Sequence, residues 1–184
     1  MSESHDEIME ATYKALCKHG YAELSIQNIA DEFEKGKSLI YYHFEDKQDL
    51  MKAFMDHMKD EIKQMQKSID EEDPVDELDS MLDIYLGIER DEMWEFQKAF
   101  QEFRAQAQHN PEFREKFRQI DKLVIENTAE KMRQAGACNA EMASEMFLSL
   151  IEGAVVRKVS TGDKQGLEEL KEEINNVVAP LLEK

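Results

Sequence analysis

Apolar residues recur along most of this chain at intervals of three and four, the spacing that gathers them on one face of a helix. Ile8, Ala11, Ala15 and Leu16 mark a first helix from Ser4 to His19, with Gly20 as its stop. Tyr21 and Leu24 are apolar residues of the link, placed to pack beneath it. Ser25 reads as the cap of a short helix carrying Ile26, Ile29, Ala30 and Phe33. Glu34-Lys35-Gly36 breaks the pattern for one turn, and Gly36 is free to take a backbone shape other residues resist. A third short helix runs from Lys37 to His43 or Phe44, with Ile40 and Phe44 one turn apart on its inward side. Asp46 then caps a long helix whose apolar face is Leu50, Met51, Phe54, Met55, Met58, Ile62, Met65 and Ile69. The stretch from Asp70 to Pro74 ends it as a turn.

Further helices are expected over Val75–Ile88, Asp91–Gln108, Pro111–Gln134, Ala140–Ser160 and Lys164–Leu182. Breaks fall at Glu89-Arg90, Asn110-Pro111, Gly136 and Thr161-Gly162-Asp163, with Asn110 capping and Pro111 in a first turn. No segment alternates with period two. The expected fold is all-α with about nine helices: a three-helix head over residues 1–48 and a helical body over 49–184.

Composition sharpens this picture at three points. Gly and Pro number only seven and three, which favours long helices over a many-turned β architecture. Cys17 and Cys138 lie far apart, outside any metal-ligand spacing, and each reads as a small buried or half-buried thiol. The polar start MSESHDEI is no signal peptide and no apolar run could span a bilayer, so a cytoplasmic protein without a membrane partner is expected. Charge complicates the functional reading: 41 acids against 23 bases give −18, and an acidic surface repels nucleic acid at long range. The balance resembles that of proteins from salt-accumulating cells, although lysine is frequent. High salt would screen the repulsion within a few ångströms, leaving local charge at a contact surface to decide.

Two short helices joined by a tight turn and propped by a preceding helix form a helix-turn-helix, whose second helix enters the major groove. Here that helix is KSLIYYHF, with Lys37, Ser38, Tyr41 and Tyr42 on its outer side. Lys37 suits phosphate or a guanine edge, and Ser38 and the tyrosine hydroxyls suit phosphate or base edges. Leu39 suits a thymine methyl and His43 a phosphate, both at the margin of the face. Ser25, Lys35 and Lys47 complete the candidate DNA-contact set. Lys47 begins the long helix, whose free N–H groups favour an anion.

The run IADEFEKGKSLIYYHFEDKQDL, Ile29 to Leu50, resembles the DNA-binding signature of the TetR family of transcription regulators. The match comprises Ile29-Ala30, Tyr41, the aromatic at Tyr42, His43, Phe44, Lys47 and Leu50, entered through Gly20 and Leu24-Ser25. The resemblance implies that Tyr41 and Lys47 hold phosphates while Lys37 to His43 read bases. At the turn the sequence departs from the pattern. Phe33 and Glu34 stand where a small residue and Gly are usual, with Gly36 and Ser38 where Ser and Gly are frequent, so the choice of base-reading residues stays open.

The resemblance also implies an effector pocket and a dimer interface in the C-terminal half, no cofactor, and release from DNA when a small molecule binds. Met81, Tyr85, Trp94, Phe100, Phe103, Phe117 and Phe147 are the pocket candidates, suited to an apolar or aromatic effector, with Tyr85, Trp94 and Phe103 foremost. The dimer face is expected on the last two helices, at Leu148, Ile151, Val155 and Val159 and at Leu170, Ile174 and Val178, with Gly153 and Ala154 allowing close approach. A two-fold dimer would place two reading helices one DNA turn apart and select a pseudo-palindrome.

Enzymatic readings find no footing. No two of His5, His19, His43, His57 and His109 have the i, i+4 spacing of a metal helix, and neither a phosphate-binding glycine loop nor a GxSxG elbow occurs. No metal site is expected. The competing reading is a helical protein-interaction module whose DNA-binding head has lost affinity, motivated by the −18 charge and the altered turn.

Overall fold

The computed structural model describes residues 3–68, 73–88 and 91–182, and the helices follow the apolar periodicity closely. Among the described residues there are nine helices and no strand: α1 Glu3–Glu23, α2 Ile26–Asp31, α3 Lys37–His43, α4 Lys47–Ser68, α5 Pro74–Leu86, α6 Asp91–Gln106, α7 Pro111–Gln134, α8 Ala140–Thr161 and α9 Leu167–Leu182. None is long and apolar enough to cross a membrane. Ile69, the Met65 side chain, residues 70–72 and the expected break at Glu89-Arg90 lie outside the described residues.

Side-chain caps explain several helix starts. The Asp73 carboxylate accepts from Val75 N at 2.8 Å to start α5. The Asn110 side chain accepts from Glu112 and Phe113 to start α7, and Asn139 accepts from Met142 to start α8. Two helices are shorter than their periodicity suggests. Arg114 donates to the carbonyls of Ala107 and Gln108 at 3.1 and 2.8 Å, taking acceptors that α6 would otherwise extend through. At the other end of the chain, Lys158 Nζ donates to Asp163 and to Gln165 O, pinning a turn where α9 was expected to begin at Lys164.

Packing divides the chain into two compact units. The first comprises Met1–Glu61 and Trp94–Gln119. Its interior holds Ile8, Ala11, Ala15 and Leu16 of α1, Ile26 and Ile29 of α2, Ile40 of α3, and Leu50, Met51, Phe54 and Met55 of α4. Each large apolar side chain removed from water contributes about 1.5–3 kcal/mol before entropy is charged against it. The buried Thr12 hydroxyl satisfies itself by donating to Ile8 O at 2.7 Å.

The second unit comprises Ile62–Met93 and Ile120–Lys184. There α5, α8 and α9 pack on one another around Leu78, Met81, Leu82, Phe147, Ile151, Val155, Ile174 and Val178, with Met132 of α7. Of its buried polar groups, Ser144 Oγ donates to Ile125 O at 3.0 Å and Glu77 pairs with Lys131, while the Thr128 hydroxyl has no hydrogen-bond partner among the described residues. One thiol departs from expectation. Cys17 is half-buried, but Cys138 is exposed, because it falls in the link between α7 and α8 and outside either helix's apolar face.

Candidate nucleic-acid interface

The first unit presents α3 by fixing everything around it. Ser25 caps α2 reciprocally: its hydroxyl accepts from Asn28 N at 3.2 Å, and the Asn28 side chain accepts from Ser25 N at 2.9 Å. A chain of turn bonds follows, Phe33 N to Ala30 O and Gly36 N to Phe33 O, which closes the link between α2 and α3. Gly36 takes φ 84°, ψ 163° at the start of α3, a conformation that side chains resist. No neighbour lies within 4 Å of where a Cβ would stand, so backbone shape alone calls for glycine there.

On α3 the two faces differ sharply. Ile40 is fully buried, and Phe44 ends the helix in extended conformation with its ring 5.8 Å from that of His5. On the other side Tyr42 is 82% exposed and Tyr41 52%. Lys37 and Ser38 are also exposed, while Leu39 and His43 are half-buried at the margin. Lys37 Nζ donates to Gln27 Oε1 at 3.2 Å and lies 5.7 Å from the Tyr41 ring, so a neutral partner on α2 orients it. Two aromatic rings, a hydroxyl and an amine thus stand on one outward face.

Other candidate contacts sit differently. Lys35 is ion-paired with Glu7 of α1 at 2.6 Å. Lys47 turns inward: its amine donates to Tyr21 O at 2.9 Å and stands 4.3 Å from the centre of the Tyr21 ring. Burial pushes that amine below the ordinary lysine value, with the Glu23 charge pulling the other way. The first turn of α4 is also less open to an anion than the sequence suggests. Asp49 N is taken by the Asp46 carboxylate at 2.8 Å, and Asp49 in turn accepts from Glu45 N at 3.3 Å. The chain's own carboxylates answer the helix N-terminus there.

Support for the link before α2 comes from residues that local periodicity does not reveal. The Tyr21 ring stacks on Phe103 at 4.8 Å and meets Phe113 edge-on, and Ala22 N donates to Glu102 Oε2 at 3.3 Å. Phe103 and Phe113 sit far away in sequence, and nothing near Tyr21 announces them.

The pocket candidates divide between the units. Trp94, Phe100, Phe103 and Phe117 belong to the first, where Phe100 and Phe103 each pack edge-on against Phe117 at 5.5 and 5.4 Å. Met81 and Phe147 are core residues of the second, with Tyr85 packed against them. Burial pushes the Tyr85 hydroxyl well above its ordinary value. The residues expected at a dimer face pack mostly inside the single chain. Ile151, Val155, Ile174 and Val178 are each at most 5% exposed within a single chain, and Leu148, Val159 and Leu170 pack against them. Both helices spend that stripe on their own core. The exposed apolar positions are instead Met142, Met146, Leu150 and Val156 on α8 and Val177 on α9. The i, i+4, i+8 spacing of Met142, Met146 and Leu150 was the sequence signal for them.

Comparison with known proteins decides what kind of head this is. Residues 8–54 match the model of bacterial regulatory proteins of the tetR family, and residues 74–183 match that of the BetI-type transcriptional repressor C-terminal domain. The chain belongs to the TetR family. A TetR transcription regulator from Haloarcula marismortui has the same fold with a TM-score of 0.87 and 31% identity, covering 100% of both chains. The transcriptional repressor AcnR of Corynebacterium efficiens is 23% identical over 91% of this chain and 88% of its own length. A regulator from Saccharomonospora viridis solved with choline shares the fold with a TM-score of 0.78 at 20% identity, over 97% of each chain. This TetR-family protein is a transcription regulator with a DNA-binding helix-turn-helix, and its relatives are regulators, not enzymes.

Proposed function

We propose that this TetR-family regulator is a repressor that binds a pseudo-palindromic operator as a homodimer and leaves it when a small apolar or aromatic molecule binds. Residues 1–48 serve as the reading head and 49–184 as the effector and dimer body. Acting on chromosomal DNA places the protein in the cytoplasm. The observation that carries the reading is the outward face of α3, where Tyr42 is 82% exposed on a helix whose opposite residue, Ile40, is fully buried. Tyr41 beside it is 52% exposed, so both rings stand in water on the second helix of the matched helix-turn-helix, the one that enters the major groove in such units. Lys37, Ser38, Tyr41 and Tyr42 read the major groove, with Leu39 and His43 at its edge, and Ser25 orients α2 beside the backbone. Lys35 reaches phosphate only by leaving Glu7.

The two-fold contact runs along Met142, Met146, Leu150 and Val156 of α8 with Val177 of α9, all exposed in the single chain. Gly153 lies beside them with nothing within 4 Å of its Cβ position, leaving room for close helix approach. The effector sits in the body near Tyr85, Met81 and Phe147, where one buried hydroxyl stands among apolar side chains. Trp94, Phe100, Phe103 and Phe117 shape the packing of their own unit. A ligand that prefers the conformer with mis-spaced heads lowers DNA affinity by its differential affinity for the two states.

Selection from a random duplex library, with Tyr42→Ala alongside, tests this. Enrichment of a pseudo-palindrome by the parent and loss of base preference in the variant support it. No enriched sequence at any salt would return the chain to the competing reading, a helical protein-interaction module with a retired head, which the −18 charge favours.

A further inference from the structure

The head faces DNA with almost no uncommitted positive charge. The head with the part of α4 that follows it, residues 3–61, contains fourteen Asp and Glu against seven Lys and no Arg. Five of those lysines already face carboxylates: Lys14 on Glu10, Lys18 on Glu32, Lys35 on Glu7, Lys52 on Glu112 and Lys59 on Asp56, at 2.7, 2.7, 2.6, 3.3 and 3.7 Å. Lys47 is turned into the fold, onto Tyr21 O. Lys37 remains, and its partner is the neutral Gln27. Around α3 four exposed neighbours in sequence are acidic, Asp31 and Glu34 before it and Glu45 and Asp46 after it, against one exposed base, Lys35, which is paired with Glu7.

A lysine drawn from water onto a phosphate releases one counter-ion from the DNA, which makes ordinary protein–DNA affinity fall steeply with salt. A lysine drawn from a carboxylate does not give that net release. The carboxylate it leaves behind takes up a cation, and the two exchanges cancel. Where unpaired carboxylates approach the duplex as well, binding gathers cations instead of shedding them. Lys37 releases a counter-ion where it meets a phosphate, and cation uptake at the exposed carboxylates flanking α3 offsets it; the two tyrosines and Ser38 are neutral and release nothing.

We propose that this head binds its operator without net counter-ion release, so that affinity does not fall as salt rises. The inference rests on the DNA-binding reading above and adds the sign of its salt dependence. The hydroxyls and rings of Tyr41, Tyr42 and Ser38 carry the contact, and dissolved cations screen the acidic rim from the phosphates. The regulator would then engage its operator best at high ionic strength, where a basic head would let go.

The test uses the full-length protein and the duplex enriched by selection, with dissociation constants read by fluorescence anisotropy across a potassium chloride series. Between about 50 and about 200 mM salt, a protein with six to ten phosphate contacts loses about 10³- to 10⁵-fold in affinity. Here the expected change is less than about threefold, or a gain. Glu7→Gln supplies the second arm, since it removes the carboxylate that Lys35 faces beside α3. That variant should bind tighter at low salt and lose about tenfold over the same range as a dimer, at about 0.9 in slope per freed lysine. A steep fall for the parent overturns the inference while leaving DNA binding intact. So does a Glu7→Gln slope that matches the parent's, with circular dichroism confirming the fold. If no duplex is enriched at any salt, the DNA-binding reading itself is lost, and the inference goes with it.

Discussion

Lys47 and Tyr21 are joined twice: the lysine amine donates to the Tyr21 carbonyl at 2.9 Å and lies 4.3 Å from the centre of its ring. The pair ties the first turn of α4 to the link between α1 and α2. Tyr21 in turn stacks on Phe103, so one cation completes an aromatic group that holds the head together. A lysine in that position is a strut, and its charge is spent inside the fold.

Lys47→Ala should therefore cost stability, about 1–2 kcal/mol from the lost hydrogen bond and cation–π contact. It should weaken DNA binding by loosening the head, with the salt slope unchanged. Urea unfolding and a salt titration of operator affinity measure the two effects. A slope that drops by about two, one phosphate contact for each protomer of the dimer, while stability holds would instead put the amine on a phosphate.

Tyr42→Ala should behave in the opposite way. The ring is 82% exposed, so little packing is lost and stability should move by less than about 0.5 kcal/mol. Base preference at the contacted position should relax, with affinity down about tenfold or more, since a lost base contact costs about 1–3 kcal/mol. Thermal unfolding beside a competition assay on single-base operator variants separates the two. Unchanged discrimination would remove Tyr42 from the reading face.

Local chemistry explains which features the sequence could reveal. The α3 helix was legible because Ile40 and Phe44 set its inward side and Gly36 its start, all within nine residues. The caps Ser25, Asp46 and Asn110 were legible for the same reason. Lys47 was not, because whether its amine meets a phosphate or a carbonyl depends on Tyr21, twenty-six positions away. On α8 and α9 the buried stripe was not legible, because both helices carry more than one apolar stripe and periodicity cannot say which one the chain buries itself. Ile151 and Leu150 are neighbours in sequence, yet one is core and the other surface.

Gly20 interrupts α1 at φ 70°, ψ 169°, and a Cβ built there would stand 2.8 Å from Glu102 Oε2. The carboxylate is the end of a flexible side chain and can step aside, but the backbone conformation cannot. Gly20→Ala should then cost about 1–2 kcal/mol, most of it from the positive φ. Adding Glu102→Gln or Glu102→Ala should recover only a minor share. Full recovery in the double variant would assign the cost to the side-chain clash instead.

The proposed dimer face separates two adjacent residues. Leu150→Glu should yield a folded monomer by light scattering, with operator affinity lost because the paired heads are no longer linked. Ile151→Ala removes a core side chain only 3% exposed and should cost about 2–5 kcal/mol at any protein concentration. A Leu150→Glu protein that stays dimeric would move the interface elsewhere.

Lys171 offers a test of pH dependence within the second unit. Its amine lies 2.7 Å from Asp79 and 2.6 Å from Asp83, joining α9 to α5, and Asn175 donates to the same Asp79 at 2.6 Å. Burial lowers the amine's pKa, but the two carboxylates together outweigh it and raise the value above the ordinary 10.5. A raised lysine contributes stability that is fully present below its unfolded value and is lost as pH rises through the folded one. The urea midpoint of the parent should therefore fall above about pH 10.5. Tyrosines titrate in the same window, so the informative quantity is the difference from Lys171→Met. That variant should be less stable than the parent near neutral pH, by about 1 kcal/mol given the exposure of both aspartates. The gap should close as the solution becomes more alkaline. A gap that stays constant to the end of the titration would mean that Lys171 contributes through its buried stem and not through its charge.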